Sequence, residues 1–242
     1  MTATGKEARV LRAGDRQLAY TLERKAVKCI NLRITREGGV QVSAPARVAI
    51  AVIERFLLGK WEWIVAAQAR VAARERTPLS LQDGATLPIE GISHTVMGVK
   101  SAKQGAIRRD GMLMLQLRDP SDTAERCRVF ERFWRAEAAR VLTARVQALY
   151  PLFADHVQEM PVLTFRQMKS RWGSCTAAKG RITLNTNLLF VPSALCDYVI
   201  LHELCHFGHQ DHSAAFYRHL SHFCPDHAAA RQALRRFPIP QI

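Results

Sequence analysis

Asp197-Tyr198-Val199-Ile200-Leu201-His202-Glu203-Leu204-Cys205-His206 is the segment from which the rest of this chain is best read. Its second half is an H-E-x-x-H. On a helix, residues four apart stand one turn apart on the same face. His202 and His206 can therefore each offer one imidazole nitrogen to a single zinc-type ion. Glu203 is one residue on, and its carboxylate can reach a water on that ion without being a ligand. Such a metal lowers the water's pKa to about 7 and polarises a scissile carbonyl or phosphoryl group. The carboxylate can take the proton as general base and return it to the leaving group. Tyr198 to Leu201 are apolar on several faces, so the helix is expected to be buried. Two histidines and a glutamate without partners would be costly there.

A catalytic zinc takes three protein ligands and keeps one position open. Seven of the nine histidines fall between 202 and 227. The third ligand is open among His209, His212, His219, His222, Cys175 and an acid. His209 would sit about 10.5 Å along the helix axis from His202, too far for one ion to bridge. His212 is favoured, because Gly208 can end the helix and let the chain fold back. The spacing is similar to that of the metzincins, which carry glycine where this chain has His209. No Met-turn follows, so that clan is not assigned. Cys205 is rotated about 80° from the midline of the two histidines, away from Glu203, and reads as core.

The helix is expected to start at Ser193, as N-cap, and to run to about Phe207. Further helices are expected from Asp211 or Ser213 and after Pro225-Asp226. Upstream, strands are expected over 162–168 and 181–189. Between them lies Ser170-Arg171-Trp172-Gly173-Ser174-Cys175, read as a turn with Trp172 and Cys175 packed in the core. Gly173 permits a tight turn or a close backbone approach. Arg171 can stabilise an oxyanion or pair with a phosphate. The strand at 181–187 is expected to border a cleft where an extended peptide adds by backbone pairing.

Further out, 123–149 reads as a helix that stops before Pro151. Residues 80–119 read as strands, with turns at Asp83-Gly84 and Asp110-Gly111. Residues 48–76 carry apolar side chains at spacings of three and four, as one long helix or two broken at Gly59. Residues 9–44 alternate as short strands, with a hairpin at Gly38-Gly39. No internal repeat is visible. The expectation is an α+β fold in two regions. Residues 1–120 form a strand-rich N-terminal region with the long helix, and 121–242 form the metal-binding region carrying H-E-x-x-H.

The chain has 242 residues, 48% hydrophobic and 23% charged, which excludes disorder as a whole-chain description. No apolar run approaches the roughly 20 residues of a membrane span, and Met1 to Val10 has no apolar signal region. A soluble, cytoplasmic protein without membrane partners is expected. The six cysteines form no CxxC pair and read as reduced. Net charge is +14, concentrated as +8 over residues 1–77 and +5 over 161–242. Such a balance favours polyanions, either nucleotides or nucleic acid bound without sequence preference. Arg231, Arg235 and Arg236 are read as a solvated helix end favoured by the dipole, with a nucleic-acid contact as the alternative.

Arg171 to Cys175, Ile182-Thr183-Leu184-Asn185, Asp197 to His206, His212 to Tyr217 and Pro225-Asp226 together resemble the YgjP-like metal-dependent hydrolase family. That family is related to the SprT-like and WLM zincin-type peptidases. The resemblance is dense over 161–236 and weaker over the strand-rich start and the Trp61-Glu62-Trp63-Ile64 helix. It implies a zincin-like C-terminal part over 121–242. It implies one Zn²⁺ per chain on His202, His206 and His212, with Glu203 catalytic, though other divalent metals suit the same donors. It also implies that Arg171, Ser174 and Asn185 lie beside the cleft, facing substrate. The chain departs from the family at Tyr217, where Trp is frequent, a packing change. The expected function is zinc-dependent hydrolysis, with a metallopeptidase acting on peptide or protein leading. The alternatives are a nucleoside triphosphate pyrophosphatase-type metal hydrolase and a DNA-associated binding module with a structural metal.

Overall fold

A computed structural model describes residues 6–35, 37–72, 79–168 and 170–237. The fold is mixed α+β, and the chain divides into two compact units, Met1–Glu75 and Arg76–Ile242.

In the first unit, β1 (Lys6–Ala13), β2 (Arg16–Arg24), β3 (Asn31–Ile34) and β4 (Val40–Ala44) form one sheet in the order β1-β2-β4-β3. The β2–β4 pair is parallel and the other pairs are antiparallel. Period-two alternation puts Leu18, Tyr20 and Leu22 on the buried face with Val40 and Val42. They share a core with Ile53 and Leu57 of α1 (Ile50–Gly59) and Ile64 of α2 (Trp61–Ala72). Of the two readings of 48–76, the structure has the broken one, two helices separated at Lys60, whose N–H closes a tight turn on the Leu57 carbonyl at 3.0 Å, while 73–76 lie outside the described residues.

The second unit opens with β5 (Thr86–Ile89), β6 (Ile92–Lys100), β7 (Gly105–Arg109) and β8 (Met112–Leu117), in the order β5-β6-β8-β7. Here too the middle pair is parallel and the flanking pairs are antiparallel. The two four-stranded sheets share one connectivity, although no repeat is visible in the sequence. Alternation and turn placement suffice for that topology, and neither requires matching residues. Asp110 (φ 50°) and Gly111 (φ 72°) make the two-residue turn between β7 and β8, both in the left-handed region that such hairpins require.

Helix α3 (Thr123–Leu149) is capped by Asp122, whose carboxylate accepts from Ala124 N–H at 2.8 Å and Glu125 N–H at 3.1 Å. It packs against β7 and β8, so the boundary expected at 120/121 falls inside this unit. Trp134 stacks between Phe130 and Phe190, at ring separations of 5.3 and 4.1 Å.

A three-stranded sheet follows, β9 (Val162–Arg166), β10 (Gly173–Thr176) and β11 (Arg181–Asn185), in the order β10-β11-β9. The second half of the segment expected as a turn is itself strand, from Gly173 on. Consequently β11 is paired on both edges, and the open edge beside it belongs to β10. The strand expected to reach Leu189 ends at Asn185, and residues 186–190 wind as a 3-10 turn. Then come α4 (Ser193–Cys205), α5 (Ala214–Phe223) and α6 (His227–Arg236). Pro192, not Ser193, occupies the N-cap of α4. The Ser193 hydroxyl is instead 2.6 Å from an Arg145 guanidinium nitrogen that donates to it. Helix α4 is buried nearly all round, as its apolar run implies. Among the described residues no helix is long and apolar enough to cross a membrane.

Glu125 is buried in the first turn of α3. Its carboxylate accepts from the N–H groups of Arg118 and Asp119, each at 3.0 Å, and from the Gln104 amide. These donors hold its carboxyl down to about 2. A depressed carboxyl stabilises the fold above its unfolded value, and that stability disappears as pH falls through the folded value. In urea unfolding, wild type should exceed Glu125→Gln in stability at pH 7. The gap should close between pH 4.5 and about 2. A gap that does not change with pH would contradict this account.

Candidate metal centre

Helix α4 supplies His202 and Glu203, and His206 caps its end. The chain then tightens: Gly208 N–H and His209 N–H both bond the Cys205 carbonyl, at 3.2 and 3.0 Å. The turn brings the His209 carbonyl 3.0 Å from His206 Nδ1. An Nδ1–H donated there leaves Nε2 with its lone pair free, the tautomer a metal ligand needs. Asp211 then accepts from Ser213 N–H at 3.2 Å, and Ser213 caps α5 through Phe216 N–H at 3.5 Å. This reversal returns His212 to α4, with its Nε2 3.0 Å from His202 Nε2.

The three rings stand 4.8 to 5.1 Å apart, and one nitrogen from each lies within 4.8 Å of the others. Among the described residues this is the one cluster of three or more such donors so gathered. Burial, reinforced by the charges of His206 and His212, pulls the His202 imidazole down to about 4. Burial likewise lowers His206. Neutral rings with facing nitrogens are the form that coordinates. The donor set fits a divalent ion of the zinc type and leaves a fourth position open.

Glu203 is buried beside this cluster, against β10. A Cβ on Gly173 would lie 2.6 Å from its Oε1 and 2.9 Å from its Cδ. The close approach expected at Gly173 is therefore an approach to Glu203. The backbone N–H of Cys175 lies on the side of the same carboxylate and favours its charged form. The register explains why. Asn185 N–H bonds the Trp172 carbonyl at 2.8 Å, so Ser174 is the next residue to face β11. Gly173 and Cys175 turn their backbone groups to the open edge. Burial pushes the Glu203 carboxyl up to about 8, against the opposing charge of Arg171. A divalent cation alongside would draw it back down.

Arg171 and Ser174 line a cleft of about 560 Å³ together with Glu203, His202, His206 and His212. Asn185 does not. It is 1% exposed, and its amide donates to the carbonyls of Met168 and Arg171 at 2.8 and 2.9 Å. Its Oδ1 accepts from Asn187 N–H at 3.1 Å. Asn185 is thus spent on tying down the loop that leads into β10, and it faces no substrate. Cys175 is half-buried on the cleft wall, its thiol pushed up to about 12 by burial. Cys205 is fully buried core, as expected. His209 and His219 pack their rings with His156, and His222 packs on Phe223. None of these joins the cluster. Arg231, read from sequence as part of a solvated helix end, is exposed as that reading expects, and it also lines a second cleft beside the same histidines.

The family profile described as "YgjP-like, metallopeptidase domain" matches residues 28–237. The chain belongs to this metallopeptidase-domain family. No curated protein matches the sequence. Among solved structures, the metallopeptidase zymogen of Pyrococcus abyssi abylysin is similar at 20% identity. Its match covers 40% of this chain and 99% of that one, with a TM-score of 0.34. The zymogen of Methanocaldococcus jannaschii jannalysin is similar at 18% identity, covering 38% of this chain and 94% of that one, with a TM-score of 0.32.

A methyl group at residue 173 has no room while Glu203 stays in place. Gly173→Ala should cost about 1–3 kcal/mol of stability in urea unfolding, as overpacking does. Unchanged stability would mean that the Glu203 side chain is free to move aside.

Proposed function

From family membership and the geometry around α4, we propose that the chain is a zinc-dependent metallopeptidase of zincin-like architecture, with Glu203 as its general base. The observation that carries this reading is the position of Glu203. Its carboxylate is buried next to three converging histidine nitrogens and packed against Gly173 of an open strand edge. A structural metal site has no use for an uncoordinated carboxylate in that place.

In this reading His202, His206 and His212 hold the ion. When bound, zinc supplies Lewis acidity to the scissile carbonyl and acidifies water. The peptide lies along the free edge of β10, pairing with the outward backbone groups of Gly173. This role passes from the 181–187 strand, whose edges are both occupied, to its neighbour. Glu203 accepts a proton from the attacking water and delivers it to the leaving amine. Arg171, exposed at the rim, faces the oxygen that gains charge. Ser174 lines the same wall. The nucleotide-hydrolase and nucleic-acid readings draw on net charge alone.

The test pairs two variants with metal-loaded wild type on unstructured casein-type peptides. Glu203→Gln should keep its zinc and lose about 100-fold or more in turnover. His202→Ala should lose the metal. If Glu203→Gln lost zinc as badly as His202→Ala, the carboxylate would be a ligand and the mechanism would be wrong. Full activity in Glu203→Gln would remove it as the base.

A further inference from the structure

Two clefts flank the histidine cluster, and their walls differ in chemistry. Both share Arg171, Gly173, His202, Glu203 and His212. The cleft already described continues along β10 past Thr176 to Ala178 and is lined beyond the shared residues by neutral side chains and His206. The other, of about 600 Å³, extends the opposite way, past Trp172 to Ser170. It is closed on its far side by α6, which contributes Arg231, Leu234 and Arg235. Among the described residues three guanidiniums thus line one cleft, and Glu203 is its one acidic group. Trp172, Tyr198 and Tyr217 supply aromatic walls.

Arg231 is placed by contact. Its Nη1 is 3.4 Å from the Tyr217 hydroxyl, and Tyr217 packs against the His212 ring at 6.2 Å. The guanidinium is therefore close to the reacting centre and still exposed to a ligand.

The polarity of β10 gives this cleft a direction. Strand β10 runs from the cationic cleft toward the neutral one. A peptide pairing antiparallel on its open edge runs the other way. Its N-terminal half then lies in the neutral cleft, and its C-terminal half enters the cationic one.

Resting on the peptidase reading, we infer that Arg231 recognises a carboxylate on the C-terminal side of the scissile bond. That carboxylate is an Asp or Glu side chain, or the free α-carboxylate of a peptide ending one to three residues beyond the bond. A guanidinium offers a planar fork of donors that a carboxylate accepts two at a time. The aromatic walls exclude water from that pair and receive the neighbouring apolar side chains. Arg231 is a specificity residue here, with no part in bond cleavage.

The experiment measures binding, so that it does not depend on turnover. Metal-loaded, full-length Glu203→Gln is titrated with fluorescein-labelled peptides, read by anisotropy. One pair differs as Glu against Gln two residues past the intended bond. A second pair differs as free C-terminal acid against amide, so the two arms separate the two sources of carboxylate. At least one acidic member should bind about 10-fold or more tightly than its neutral twin. Adding Arg231→Gln should abolish that advantage while leaving zinc content and the neutral twin's affinity unchanged. Equal binding within both pairs, an absence of peptide binding, or an acidic advantage that survives Arg231→Gln would each overturn the inference. So would displacement of the acidic peptide by ATP at concentrations below those of competing acidic peptide, which would mark a phosphate site. Acid-selective binding by a protein whose wild type cleaves no peptide would uphold carboxylate recognition by Arg231 while retiring the hydrolytic reading. Cleavage by wild type without charge discrimination would do the reverse.

Discussion

Glu203 occupies space that exists because residue 173 has no side chain. A Cβ there would stand 2.6 Å from the carboxylate oxygen, closer than any packed pair tolerates. Much of the second unit is arranged around that contact. Strand β10 must pass directly over α4, and it must be an edge strand, so that the Cys175 N–H is free to face the carboxylate. Helix α4 must be buried, which brings both the cost of desolvating an acid and the neutral state of His202. Burial and function are thus coupled: the environment that makes Glu203 hard to ionise also keeps His202 able to coordinate.

A site this close-packed needs its helix held at both ends. At the start of α4, Arg145 reaches Asp197 at 2.7 Å, the Ser193 hydroxyl at 2.6 Å and Glu90 at 3.0 Å. Glu90 also pairs with Arg108 at 2.9 Å, and its N–H bonds the Leu189 carbonyl at 2.7 Å. These charges are half-buried, where forming such pairs adds little net stability but removing one partner is expensive. Their value is positional, since they tie α3, the β5–β6 turn and α4 together. At the other end, Gly208 lets the His156 ring lie over the backbone, where a Cβ would stand 3.0 Å from it. The turn closed there orients His206 through the His209 carbonyl and returns His212. The ligand rotamers are therefore set by backbone geometry as well as by side-chain packing.

The long elements were legible because burial writes a period into them. Leu18, Tyr20 and Leu22 alternate, the apolar side chains of 50–72 recur at three and four, and both patterns became the elements expected. The trio of histidines was legible from i, i+4 spacing plus an offset residue after a glycine. Strand β10 was not. Gly-Ser-Cys-Thr has no apolar alternation, because its pairing is fixed by β11 and its free edge by Glu203. Missing it moved the open edge to the wrong strand. Asn185 misled for a related reason. A polar side chain near a cleft motif suggests substrate, whereas here it is buried and satisfies three backbone groups, the carbonyls of Met168 and Arg171 and the N–H of Asn187. Ser193 looked like a cap, but a tertiary partner, Arg145, claimed its hydroxyl. The shared connectivity of the two four-stranded sheets left no trace in residue identity, because strand order is set by turns and burial pattern alone.

The account rests on His202, His206 and His212 sharing one ion with Glu203 outside its coordination. Crystals grown with zinc and measured at the zinc absorption edge address this directly. The account predicts one strong anomalous peak per chain, about 2.1 Å from a nitrogen of each of the three histidines. The Glu203 carboxylate should lie against Gly173, beyond bonding distance. A peak with Glu203 as a direct ligand, or with His212 turned away and another side chain in its place, would contradict it.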